Sequence, residues 1–177
     1  MQIPAAAIVH SGDGEGDDLL AELLAGCQQQ GWRVRGLTTQ QGKDPHGVLP
    51  MTLRDLDTGE TFVISQYLGR NSRGCNLDMG GLAEAGKVLR QALHEAPDLV
   101  FVNRFGYSEA QGRGLNQEFA QLISSGIPVL TLVSEKYLDS WQSFSAGMAQ
   151  ILPLERKAIE YWLATIEPKT LKRVVPK

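Results

Sequence analysis

The sequence predicts an α/β fold: a mainly parallel sheet covered by helices on both faces, with one inserted β-hairpin. Three observations carry this. Apolar runs of buried-strand length (5–10, 99–103, 128–133) alternate with stretches of helical periodicity. Residues 51–65, MTLRDLDTGETFVIS, read as two strands around an Asp57-Thr58-Gly59 turn. Polar or glycine-rich segments directly follow the strands, where ligands sit in open sheets of this kind.

Taken in order, AAAIVH (5–10) is a continuous apolar run that suits a strand buried on both sides. After a glycine-rich loop, Leu19, Leu20, Leu23 and Leu24 mark one face of a helix ending near Gly31. Residues 32–39 read as a strand, and the hairpin follows. LGRNSRGCNLDMGG (68–81) reads as a loop, and the next helix turns Leu82, Leu89 and Leu93 inward. LVFVN (99–103) is a buried strand, followed by the polar loop 104–114. A helix with Leu115, Phe119, Leu122 and Ile123 inward closes at Gly126 before the strand 128–133. Two more helices carry Leu138, Trp141 and Phe144, then Ile159, Trp162, Leu163 and Ile166. One domain over 1–166 and a basic tail over 167–177 result, with no internal repeat.

Composition narrows the function classes. At 42% hydrophobic and 21% charged residues the chain is ordinarily globular, and a net charge of −3 gives no general pull toward nucleic acid. No apolar stretch is long enough for a membrane span, and the first residues lack the basic and apolar regions of a secretory signal, so a cytoplasmic protein is expected. Cys27 and Cys75 are isolated, and His10, His46 and His94 show no ligand spacing, so no metal site is expected. Arginines beside Cys75 would favour its thiolate, although a buried loop cysteine is the plainer reading.

The stretch HSGDGEGDD (10–18) has the layout of a phosphate loop with its charge inverted. Such loops follow G-x-x-x-x-G-K-[ST]. With Gly16 as the second glycine, Ser11 takes the place of the first, Asp17 that of the lysine and Asp18 that of the hydroxyl. At about 4 Å and an effective dielectric near 20, a carboxylate facing a phosphate charge meets repulsion on the order of 4 kcal/mol. The amides around Ser11, Gly12, Gly14 and Gly16 remain available to an anion or to the chain's own carboxylates, which favour a helix N-terminus.

The segment DLVFVNRFGYSEAQGRGLNQEFAQLISSGIPVLTLV (98–133) is similar to that of small P-loop nucleoside-triphosphatases of the thermophile type. The resemblance implies a three-layer P-loop NTPase-like fold. In that family the strand ends in an acidic pair that serves magnesium and water; here the two positions are Asn103 and Arg104, while Gly106 and Glu109 match. RDLDTGE, ISQYLGRNSRGCNLD and VNRFGYSEAQGRGL resemble more closely an uncharacterised bacterial family, a domain of unknown function often encoded near molybdate-transport genes. That resemblance spans about residues 5–150 and implies degenerate Walker A and Walker B motifs.

Lacking both the lysine and the acidic pair, the chain has no phosphate clamp and no magnesium ligand. Four arginines, Arg70, Arg73, Arg104 and Arg113, fall in the loops, and guanidinium groups bind oxyanions with paired hydrogen bonds. Ser11, Gly12, Gly14, Gly16 and Asn103 join them as candidate ligand contacts. The expected function is non-hydrolytic binding of a small anion, with molybdate or a similar oxyanion the candidate that the resemblance implies. One alternative is a divergent magnesium-dependent nucleoside-triphosphatase using Asp17 and Glu109. Another is an interaction module without ligand, with a homo-oligomer contact through a helical face.

Overall fold

The computed structural model describes residues 2–12, 14–40, 43–44, 47–48, 51–65, 77–166 and 168. Strand β1 (Ala5–His10) holds the small alanines that allow helices to approach from both sides; Ala5, Ala6, Ala7 and Ile8 are fully buried. It leads into α1 (Asp17–Gln29), which buries Leu20, Leu23, Leu24 and Cys27. Next come β2 (Val34–Gln40), the short β3 (Lys43–Asp44) and β4 (Gly47–Val48), and the hairpin β5 (Thr52–Asp55) and β6 (Thr61–Val63). Helix α2 (Met79–Glu95) begins at Asp78, whose carboxylate accepts from the Gly80 amide at 2.9 Å and the Gly81 amide at 3.2 Å. Then follow β7 (Leu99–Phe105), α3 (Tyr107–Ala110), α4 (Asn116–Ser124), β8 (Val129–Ser134), α5 (Leu138–Phe144), β9 (Gln150–Pro153) and α6 (Arg156–Ala164).

Seven strands form one sheet in the order β6-β5-β2-β7-β8-β1-β9. The β2, β7, β8, β1 and β9 strands run parallel, and the hairpin adds two antiparallel strands at one edge. Side chains alternate across the sheet, and the two faces are covered differently. Ala5, Val100, Val102 and Val133 pack beneath α2, α4 and α5; Ala6, Ile8, Phe101 and Leu132 pack beneath α1 and α6. The first core centres on an aromatic cluster: the Phe105 and Trp141 rings lie 5.2 Å apart and the Phe105 and Phe119 rings 5.8 Å apart, both edge to face. At one point β2 and β7 approach too closely for a side chain. Gly36 has φ +130°, and a Cβ there would overlap the Phe101 carbonyl oxygen.

The α/β class, the hairpin around Asp57-Thr58-Gly59 and the helix faces agree with the sequence reading. Two features differ. Residues 104–114 are not wholly loop: β7 runs on to Phe105, buried in the aromatic cluster, and α3 follows. The edge strand β9 went unpredicted, because only four residues form it and Pro153, which cannot donate to a ladder, ends it. The basic tail falls outside the described residues except for Pro168.

Candidate functional site

Because β1, β2, β7 and β8 are parallel, their carboxyl ends share one edge of the sheet, and the loops there define the candidate site. At the end of β1, His10 is 5% exposed, and its Nδ1 lies 3.0 Å from the Gly12 carbonyl oxygen. A carbonyl only accepts, so Nδ1 donates this hydrogen bond. Nε2 is buried and has no hydrogen-bond partner among the described residues.

The loop then closes on its own acid. One oxygen of Glu15 accepts from the Ser11 amide at 3.0 Å, the Ser11 hydroxyl at 3.0 Å and the Gly12 amide at 3.2 Å. The Ser11 amide, then the Ser11 hydroxyl and the Gly12 amide, hold the Glu15 carboxyl below its usual range, and the field of His10 adds to this. Gly14 and Gly16 take positive φ, 75° and 81°, which bends the chain into α1. The amides of Ser11 and Gly12, proposed from the sequence as ligand contacts, are thus engaged by Glu15. Asp17 and Asp18 occupy the first turn of α1, and Asp13 lies outside the described residues.

At the end of β7 the register shifts between Val102 and Phe105, and Asn103 stands at this irregularity. It is 4% exposed, and its Oδ1 has no partner among the described residues. Its backbone carbonyl lies 3.5 Å from the Thr39 hydroxyl. Arg104 and Asn103 both line a cavity of about 240 Å³ on the α2 and α4 side. The floor is apolar, formed by Leu53, Leu82 and Leu115, and Thr39, Ser108 and Arg104 supply polar groups.

Glu109 also borders this cavity but is 6% exposed and committed to the backbone. Its Oε2 accepts from the Gly106 amide and its Oε1 from the Leu115 amide, both at 3.0 Å. Burial pushes its carboxyl above the usual range against those two hydrogen bonds. Its geometry is that of a clasp holding the 106–115 segment in shape. Arg113 is exposed, and its amide donates to the Ser108 carbonyl at 2.8 Å.

A second cleft, of about 410 Å³, lies on the opposite side of β7, between α1 and the β2–β5 edge. Asp17, Asp18, Thr38, Arg54 and Asn103 line it. Asn103 lines both cavities: it joins Arg104 and Glu109 around the first, and Asp17 and Asp18 around the second. Arg70, Arg73 and Cys75 lie outside the described residues. Sequence reasoning missed Thr39 and Arg54; the signal available was their position on strands that end or pair at the ligand edge. No group of three or more His, Cys, Asp or Glu able to hold a metal occurs among the described residues, and none of their helices is long and apolar enough to cross a membrane.

The Bradyrhizobium diazoefficiens protein "Molybdenum import ATP-binding protein ModC 2" is 39% identical to the chain over 158 residues. The match covers 89% of the chain but only 18% of that relative, so the chain corresponds to a minor part of a longer protein. A family model described as "Protein of unknown function (DUF2478)" matches residues 5–162, nearly the whole folded unit. The chain belongs to this family.

Proposed function

We propose that the chain is a cytoplasmic, non-hydrolytic protein on a P-loop NTPase-like fold, binding a small anion in molybdenum handling. The observation that carries the reading is the Glu15 carboxylate on the Ser11 and Gly12 amides. A phosphate entering that loop must displace a tethered anion and then face Asp17 where a lysine is needed. The degenerate loop keeps the scaffold of a phosphate loop and fills it from within.

Anion binding then belongs beside Arg104, where a guanidinium and the hydroxyls of Thr39 and Ser108 meet at the 240 Å³ cavity. Arg113, on the same loop, adds positive charge from the surface. The name of the Bradyrhizobium relative supports molybdate or a similar oxyanion as ligand, and the 18% coverage supports a module that serves a larger import machine. A thermal-shift series with molybdate, tungstate, phosphate and Mg-ATP tests this. Molybdate or tungstate raises the melting temperature, Arg104→Ala removes the shift, and Mg-ATP is neither bound nor hydrolysed. Phosphate release lost in Asp17→Asn or Glu109→Gln would instead favour the nucleoside-triphosphatase reading.

A further inference from the structure

The cleft between α1 and the β2–β5 edge differs in chemistry from the Arg104 cavity across β7. We infer that this cleft binds an organic cation, a primary ammonium or amidinium carried on an apolar body. Its charge is the first reason. Asp17, Asp18 and Asp55 outnumber Arg54 in the lining. Asp55 is internally engaged: its oxygens accept from the Asp57 amide at 2.9 Å and the Thr58 hydroxyl at 2.8 Å. The Arg54 guanidinium leans over the hairpin turn, 3.2 Å from where a Cβ of Gly59 would stand. The Asp17 and Asp18 carboxylates thus dominate the α1 end, outweighing the roughly half positive charge of the helix terminus.

The second reason is independent of those acids. Asn103 lines this cleft as well as the Arg104 cavity, is more than nine-tenths buried, and leaves its Oδ1 acceptor without a partner among the described residues. A buried unpaired carbonyl oxygen is costly, and a ligand N–H is the group that completes it. Acceptor and carboxylates together ask for a donor-rich cation.

The third reason is the shape. The volume of about 410 Å³ suits a small organic molecule, and Leu20, Leu24, Leu56 and Phe101 supply apolar walls for its body. A bare metal ion would leave most of that space unfilled, and no three His, Cys, Asp or Glu side chains gather to ligate one among the described residues.

Benzamidine and benzylamine are the probes, with benzyl alcohol and benzoate as neutral and anionic counterparts of similar size. Titration calorimetry and nuclear magnetic resonance are expected to show saturable binding of the two cations. Benzyl alcohol binds at least about tenfold more weakly and benzoate not at all. Asp17→Asn with Asp18→Asn weakens benzamidine by about tenfold or more. Should that double variant fail to fold, Asp18→Asn alone and Ala21→Phe, both at exposed positions, serve instead: the first weakens binding and the second blocks it. Binding persists in Arg104→Ala, which separates this site from the anion cavity. Benzamidine that does not saturate, that binds no better than benzyl alcohol, or that is indifferent to all of these cleft variants overturns the inference.

Discussion

Replacing Glu109 by glutamine tests how the loop after β7 is held. The carboxylate divides its two oxygens between the Gly106 and Leu115 amides, at 3.0 Å each, in a position 6% exposed. Glutamine keeps the volume but offers one carbonyl oxygen, so one buried amide must face an N–H. An unsatisfied buried donor costs about 1–3 kcal/mol, which for a chain of this size lowers the melting temperature by roughly 2–12 °C. The pH dependence carries the sharper signature. Burial raises the Glu109 carboxyl above its ordinary 4.5, so over that window the folded chain holds the proton more tightly than the unfolded chain. Glu109 therefore contributes its full stability below 4.5, and that contribution declines as pH rises through the folded value. The variant has no such slope, and its deficit is largest in acid and narrows toward neutrality. Urea midpoints of both proteins near pH 4.5 and at neutral pH measure this. A deficit that is absent, or that widens as pH rises, would refute the reasoning.

Further expectations follow from other positions. The Glu15 carboxyl, held below 4.5 chiefly by the Ser11 amide, contributes stability above the ordinary value and loses it as pH falls through the lower folded one. Glu15→Gln should remove that acid-side slope, and carboxyl-carbon resonance titration of the wild type should place Glu15 below 4.5. Gly36→Ala, which drives a methyl group into the Phe101 carbonyl, should abolish or sharply lower soluble folded yield. Gly26→Ala, with open space around the site, should stabilise by about 0.4–1 kcal/mol, read from the urea midpoint. Phe119→Ala removes a fully buried ring from the Phe105–Trp141 cluster and should cost about 3–5 kcal/mol in the same assay.

What was legible in the sequence was whatever depends on local pattern. The run AAAIVH could only be a buried strand, and Leu20, Leu23 and Leu24 at helical spacing fixed the inner face of α1. Asp57-Thr58-Gly59 marked its turn through the one residue that takes φ of 76° easily. That carboxylates of the loop are available to its own amides was legible from composition, but that Glu15 is the one that engages them was not. Asp13, Glu15, Asp17 and Asp18 look alike in the sequence, and only the left-handed turns at Gly14 and Gly16 carry Glu15 back over Ser11. The burial of Glu109 was not legible for a related reason: a carboxylate in a polar loop shows no sign of burial until Phe105 pulls that loop into the core. The placing of Asn103 at the lining of two cavities also lay beyond sequence pattern, because it follows from a register shift between Val102 and Phe105.

The central claim is that the fold binds an anion without hydrolysing nucleotide. Titration calorimetry with molybdate on the wild type and Arg104→Ala, run beside a phosphate-release assay with Mg-ATP, tests it most directly. The account predicts a saturable heat with molybdate that disappears in Arg104→Ala, and no phosphate release above background. Phosphate release that depends on Asp17 or Glu109, or molybdate heats indistinguishable from dilution, would contradict it.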